Sequence, residues 1–300
     1  MGKVLVIGGT RFFGRKLVKR LLDMQMEVTI LTRGRAADDF GSKVTRLIAD
    51  RDDPVDFKRA LHSQSYDLVY DNICYSAREA TSAASLFQGT NTRYILTSTL
   101  SVYPFGESGM RERDYDPFVY PVPNPDMPRG DDYAEGKRLA EAVLFQRADF
   151  PVAAVRFPIV LGMDDYTKRL HFHVERVLRG VPIGIPNPDA RISFISSDEA
   201  ASFLAWIGQS SLIGPVNACS RGEITPRQIL AIIERAAGRQ ALMRDETEPS
   251  NMSPFGVPES WYMDTTKAES AGYVFQALET WLPKLVEDIV EKDFKSDELT

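Results

Sequence analysis

The sequence predicts an α/β fold: a doubly wound parallel sheet with a smaller mixed α/β lobe toward the C-terminal end. Three observations predict it. Short apolar runs alternate with amphipathic stretches from Lys3 to about Leu100, the pattern of strands joined by crossover helices. The first run, "KVLVIGG", ends in glycines and passes straight into a helical pattern. Beyond about residue 165 the alternation lapses and helical stretches predominate. A chain of 300 residues that is 43% hydrophobic can build one large domain with a lobe. The sheet domain is expected over about 1–165 plus about 190–220, and the lobe over about 166–189 and 221–300.

The elements follow in order. "KVLVIGG" suits a strand buried on both faces. Phe13, Leu17 and Leu21 then repeat at helical spacing, flanked by Val18 and Leu22, with Arg15, Lys16, Lys19 and Arg20 outside. "EVTILTRG" is a second strand that closes at Thr32, Arg33 and Gly34, and "VTRLIAD" a third that ends at Asp50. Pro54 opens a short helix to about His62. "YDLVYDNICY" is a fourth strand, "SAREATSAASLFQ" an alanine-rich helix, and "RYILTSTLSVY" a fifth strand with its loop. From Gly106 to Asp131 runs a long loop carrying Pro117, Pro121, Pro123, Pro125 and Pro128, a length typical of functional loops. "DDYAEGKRLAEAVLFQ" is a helix and "VAAVRFPIVLG" a sixth strand. The lobe region holds a helix at "HFHVERVLRG", a strand and helix at "ARISFISSDEAASFLAWI", a helix capped by Thr225, and a final helix from about Leu278 to Phe294.

Composition excludes several classes. The net charge is −6 and no Lys/Arg block occurs, which argues against nucleic acid as the main partner. Cys74 and Cys219 lie far apart without ligand spacing, so two buried free thiols in a reducing compartment are expected. No apolar run approaches the ~18–20 residues of a membrane span, and the first run is too short for a signal-peptide core. A soluble, cytoplasmic protein is the expectation. No metal site is expected, since His171 and His173 face apart on a helix.

In a doubly wound sheet, ligands bind off the C-terminal ends of the strands. The first such end is the turn Gly8, Gly9, Thr10, Arg11, Phe12, Phe13, Gly14. Its glycines let backbone approach a pyrophosphate, and the following helix offers free N–H groups. The context therefore predicts a nicotinamide dinucleotide, against the alternative of a plain turn. An NAD site carries a carboxylate after the second strand to hold the ribose hydroxyl, whereas this chain has Arg33 there and Arg11 in the turn. Two arginines attract a 2′-phosphate, which favours NADP over NAD; the alternative for Arg33 and Arg35 is a solvated loop. Asp50 is placed to accept from the adenine amino group, to cap the next helix or to sit in solvent, and Arg51 and Asp71 join the candidate cofactor contacts.

Catalytic candidates lie at the fifth strand and the helix after the long loop. Tyr133 and Lys137 are spaced i, i+4 on one helix face. An ammonium beside a phenol favours the phenolate, so such a tyrosine serves as acid or base, and the lysine also reaches the nicotinamide ribose. The hydroxyls of Thr97, Ser98, Thr99 and Ser101 cluster at the strand end, where one orients the substrate oxygen or all satisfy their own backbone.

The glycine turn, "LTSTLSVY", "YAEGK" and "VRFPIVLG", in this order over nearly the whole chain, resemble the short-chain dehydrogenase/reductase superfamily. The extended branch, the NAD-dependent epimerase/dehydratase family with its Rossmann domain, is nearest. The loose GGxxxxG turn is similar to an atypical subgroup whose members are labelled sugar epimerases or dehydratases, isoflavone-reductase-like proteins and chloroplast stem-loop RNA-binding proteins. The resemblance implies Tyr133 as acid/base with Lys137, Thr99 as the catalytic hydroxyl with Ser98 as runner-up, and Pro158 in the segment facing the nicotinamide amide. It implies Arg191 as the grip on a nucleotide-sugar diphosphate, against the alternative of an ion pair within the lobe. Arg169 and His173 share a helix face and are candidates for the substrate pocket, with a solvated or core-packed alternative. Three departures stand out. Arg11 replaces the middle glycine, no asparagine stands in "SAREATSAASLFQ", and Ile159 takes the place of a substrate-binding asparagine. Leu100 and Ser101 cannot supply a dehydratase's extra acid/base pair, which favours an epimerase or reductase acting on a nucleotide sugar or small carbonyl compound. Relatives pair through the helices at Ser76–Gln88 and Tyr133–Gln146, so a homodimer is compatible. The competing expectation is a cofactor-binding RNA-binding or regulatory protein on the same scaffold.

Overall fold

The computed structural model describes residues 2–297, with side chains as far as Lys292. β1 (Lys3–Ile7) leads into α1 (Phe12–Asp23), followed by β2 (Glu27–Thr32), β3 (Val44–Ile48), α2 (Pro54–Leu61), β4 (Leu68–Asp71), α3 (Ala77–Leu86) and β5 (Arg93–Thr99). After the long loop come α4 (Tyr133–Arg147), β6 (Val152–Phe157), β7 (Ile159–Leu161), α5 (Arg169–Arg179), β8 (Ile183–Gly184), β9 (Phe194–Ser196) and α6 (Ser197–Gln209). β10 (Gly214–Asn217), α7 (Pro226–Ala237), β11 (Met243–Arg244), α8 (Thr266–Ser270) and α9 (Leu278–Asp297) complete the chain.

Seven strands form one sheet in the order β10-β6-β5-β4-β1-β2-β3, and every pairing in it is parallel. Period-2 alternation divides each strand between two cores. Val4, Val6, Val28 and Ile30 pack under α1 and α6. Leu5, Ile7, Leu31, Val69 and Leu96 pack under α2, α3 and α4. The order reverses between β1 and β4, so a crevice opens above their C-terminal ends, at Gly8 and Asn72. A third apolar cluster, from Leu161 and Leu170 through Phe255 to Val290, fills the C-terminal part. Pro158 is buried where the chain leaves the large sheet, and beyond it β7 pairs with β9 instead. No helix among the described residues is long and apolar enough to cross a membrane. Both cysteines are buried free thiols.

The edge strand β10 has no counterpart in the sequence reading. It is four residues long and opens with Gly214, at φ +80°, and Pro215, so it carries neither length nor alternation. The proline-rich loop, by contrast, is well fastened. It lies over part of the outer surface of α3 and α4, the surface that the resemblance assigns to a homodimer. The Thr81 hydroxyl donates to Pro125 O (2.8 Å), and Gln146 Nε2 donates to Pro117 O (2.9 Å) and Tyr120 O (2.8 Å). The Phe118 and Phe145 rings meet at a tilt, their centres 4.9 Å apart.

One buried ion pair ties α4 to the sheet. Glu141 and Arg156 are both 0% exposed, and Arg156 Nε donates to the two carboxylate oxygens at 3.0 and 3.2 Å. The remaining guanidinium donors reach Tyr103 Oη (2.7 Å), Glu112 O (2.9 Å) and Tyr115 O (3.1 Å). Removing one partner strands a charge in the interior. Glu141→Ala is expected to destabilise the protein by about 3–5 kcal/mol, read as a lower urea midpoint at unchanged m, whereas Glu141→Leu with Arg156→Met should cost less than the two single changes combined.

Candidate active site

The glycine turn is shaped by contact, not by flexibility. Gly8 adopts φ +82°, and a Cβ on Gly14 would lie 2.5 Å from Gly8 O. α1 can therefore begin directly against the turn. Side chains of Asp53, Ser76, Asp132, Ser196 and Thr225 cap α2, α3, α4, α6 and α7. α1 has no such cap and no acidic residue in its first turn, so its N–H groups and its partial positive charge face the crevice.

Above the turn lies a cleft of about 660 Å³, lined by Gly8, Thr10, Arg11, Phe12, Phe13, Gly14, Thr32, Arg33, Arg35, Asp50, Arg51, Asn72, Tyr75, Arg129 and Tyr166 among others. Arg11, Arg33, Arg35 and Arg129 form no ion pair with a carboxylate among the described residues. Gly9 sits beneath, where a Cβ would come within 2.8 Å of Val18. Asp50 lines the cleft and accepts from Asp52 N–H (3.1 Å), while Asp53, not Asp50, caps α2. Arg51 is 3% exposed; its Nη2 donates to Asp71 (2.8 Å) and Glu79 O (2.9 Å), and its Nη1 is buried without a hydrogen-bond partner. An uncapped helix, a cradle that a Cβ would fill, unpaired arginines and an orphaned guanidinium nitrogen together fit a phosphate-bearing dinucleotide.

Tyr133 and Lys137, presented by α4, do not line the cleft themselves but adjoin its wall at Tyr75. Tyr133 is 45% exposed and Lys137 only 1%. The Lys137 ammonium donates to Cys74 O and to Thr97 O, each at 2.8 Å, and lies 6.0 Å from the Tyr133 ring centre. Of its three donors, one is left for a ligand or the phenol. The helix gets this close because residue 136 is glycine: a Cβ there would meet Tyr75 O at 2.3 Å. The Thr99 hydroxyl accepts from Ser101 N–H (3.1 Å) and points toward Ser101 Oγ (3.2 Å), satisfying its own strand end.

Four expected residues stand elsewhere. Ser98 is not an available hydroxyl: it donates to Glu141 in the buried α4 contact, on the strand face shared by Tyr94 and Leu96. Asp71 is fully buried and does not face the cleft; Oδ2 accepts from Arg51 and from the Tyr94 hydroxyl (2.6 Å), and Oδ1 from Ile73 N–H (3.2 Å). It acts on the cleft only through Arg51. His173 is a core residue, stacked 4.4 Å from Phe255, with Nδ1 on Arg169 O (2.8 Å) and Nε2 on Ser253 Oγ (2.7 Å). Arg191 is held by Glu223 (3.4 Å) and by Glu107, whose backbone oxygen is 2.7 Å away and whose carboxylate is 3.6 Å away. Pro158 and Arg169 do not line the cleft.

Other cleft residues carried no sequence signal. Asn72 joins the turn to β5: its Nδ2 is 3.5 Å from Gly8 O and its Oδ1 accepts from the Thr97 hydroxyl at 2.7 Å. Tyr75 lies 6.1 Å from the Tyr133 ring and 4.4 Å from Lys137 Nζ, with its backbone N–H donating to Glu79. Burial raises the Tyr75 phenol above its ordinary value. Tyr166 stands across from Arg11, whose guanidinium is 6.0 Å from its ring.

With the fold and cleft described, the likenesses to known proteins can be placed. Residues 4–217 match the profile of the NAD dependent epimerase/dehydratase family. The chain belongs to this family. A chloroplast stem-loop binding protein of 41 kDa from Arabidopsis thaliana is 27% identical over 223 residues, 69% of this chain and 55% of that protein. The chain therefore spans little more than half the length of this relative. The UDP-glucose 4-epimerase of Thermus thermophilus, solved with NAD, superposes with a TM-score of 0.72 at 19% identity, over 96% of this chain and 99% of that one. The UDP-glucuronic acid 4-epimerase of Bacillus cereus, solved with UDP-glucuronic acid and NAD, gives 0.74 at 17% identity, over 97% and 99%. These likenesses show the family's fold along 96–97% of the chain.

His173 yields a prediction on stability. Burial pushes its imidazole down to about 4. The unfolded imidazole titrates near ~6.5, so between that pH and about 4 the unfolded chain binds more protons and stability rises with pH. The contribution, about 3 kcal/mol, is complete above the unfolded value and fades as pH falls through the window. Urea unfolding at several pH values should show that His173→Gln flattens this slope.

Proposed function

We propose that the protein is an NAD(P)-dependent enzyme that moves a hydride at a hydroxyl- or carbonyl-bearing carbon, as an epimerase or reductase, with NADP as the favoured cofactor. One observation carries the reading: an exposed Tyr133 stands one turn before a buried Lys137, both beside Tyr75 on the wall of an arginine-lined cleft with an uncapped helix beneath it. The nicotinamide, when bound, supplies the hydride acceptor and donor. Tyr133 takes the proton from the substrate hydroxyl as the carbon is oxidised, and returns it on reduction. Lys137 holds the ribose with its remaining donor. Thr99 turns its hydroxyl from Ser101 to the substrate oxygen. Thr10 and the α1 N-terminus hold the pyrophosphate, and Asp50 with Arg51 frames the adenine end.

NADP is favoured because the cleft offers Arg11, Arg33 and Arg35 and no carboxylate directly after β2. The substrate is a nucleotide sugar, as in the epimerases of similar fold, or a smaller carbonyl compound. The ion pairs of Arg191 and the presence of Ile159 support the smaller class.

Two measurements test this reading. Tyr133→Phe is expected to lower turnover by about 10²–10⁴-fold while leaving the dinucleotide Kd within about twofold; activity surviving in that variant would sink the mechanism. In fluorescence titrations NADPH should bind more tightly than NADH, and Arg33→Gln should weaken NADPH by about tenfold with little effect on NADH. A preference for NADH would overturn the 2′-phosphate assignment alone.

A further inference from the structure

Arg129 lines the cleft beside Tyr75. It stands at the end of the proline-rich loop, just beyond the points where that loop is fastened to α3: Pro125 O receives the Thr81 hydroxyl (2.8 Å), and Met127 O receives Arg78 N–H (3.0 Å). Its guanidinium lies 4.3 Å from the centre of the Tyr75 ring. That ring has Lys137 Nζ 4.4 Å and the Tyr133 ring 6.1 Å away, so Arg129 is one aromatic ring removed from the reacting phenol. No carboxylate among the described residues pairs with it, whereas Arg191 is engaged by Glu107 and Glu223. A guanidinium laid on an aromatic ring in a cleft, exposed and without a counter-ion, presents a planar fork to an oxyanion.

Resting on the function proposed above, we propose that Arg129 is a specificity-determining residue that binds an anionic group, a carboxylate or phosphate, carried by the substrate near the reacting carbon. Arg11, Arg33 and Arg35 lie with the glycine turn and the end of β2, where the phosphates of the dinucleotide belong. Arg129 lies against Tyr75, whose ring neighbours Tyr133 and Lys137. Its charge is therefore surplus to the cofactor and available to the substrate. Tyr75 is the positioning residue: its ring lies 4.3 Å from the guanidinium and shields that side from water, which strengthens a paired bond to an oxyanion. Arg191, in contrast, must break two carboxylate contacts before it can grip a diphosphate. The preferred substrate is thus a small acid or phosphate ester, with its anion close to the carbon that exchanges hydride.

The test uses the full chain saturated with whichever dinucleotide it binds more tightly, and inorganic phosphate and UDP as probes, followed by calorimetry in wild type, R129Q, R129K and R191Q. Wild type should bind phosphate. R129Q should weaken phosphate by about tenfold or more and leave the dinucleotide Kd within about twofold. R129K should recover only part, because lysine lacks the fork. The proposal is overturned if R129Q weakens the dinucleotide instead, which would assign Arg129 to the cofactor pyrophosphate. It is equally overturned if wild type binds no phosphate, or if UDP binds and R191Q, not R129Q, abolishes its binding. Failure of wild type to bind either dinucleotide overturns the functional reading together with this one, and is seen in the first titration, before any anion is added.

Discussion

The cleft depends on the fixed position of one ammonium group. Lys137 is buried with two of its three donors on backbone carbonyls, one from the loop after β4 and one from β5. An amine desolvated to that degree is tolerated only when its donors are answered, so α4 cannot slide without leaving a charge unpaired. Gly136 permits the approach and the Glu141–Arg156 pair, one helical turn on, repeats the restraint against β6. Three strands and a helix are thus locked around the point where Tyr133 emerges into solvent. The tyrosine owes its exposure to a rigid support, the arrangement that acid/base chemistry at a defined distance requires.

Charge organises the rest. Many arginines remote from the cleft are neutralised by carboxylates, as Arg15, Arg46, Arg156 and Arg227 are. Around the cleft, Arg11, Arg33, Arg35 and Arg129 have no such partner among the described residues, and the one buried arginine that does, Arg51, keeps a nitrogen unanswered. These four arginines gather where the sheet order reverses, on a cleft wall that also carries Asp50, Asp52 and Glu79.

Much of this was legible in the sequence, for definite reasons. Buried strands with apolar alternation, helices with a capping residue, and the i, i+4 pair on α4 all leave periodic signatures, and they were found at their observed places. The misreadings have a common origin in strand parity. Ser98 follows Tyr94 and Leu96 onto the α4 side, and Asp71 follows Val69 onto the α2 and α3 side, so both turn away from the crevice although they sit at strand ends. Counting alternation from the apolar residues would have separated them from Thr97 and Asn72. His173 similarly lies three residues after Leu170 and four before Val177, on the apolar face of α5. Tyr75, Arg129 and Tyr166 come from loops, where no period reports direction, and their meeting is a tertiary fact.

The most direct test of the account is a crystal structure of the protein with its oxidised dinucleotide. The account predicts the pyrophosphate on the N-terminus of α1 and the nicotinamide ribose about 3 Å from Lys137 Nζ, with the nicotinamide ring beside Tyr133. A dinucleotide bound elsewhere, or one whose nicotinamide end never reaches Lys137, would contradict it.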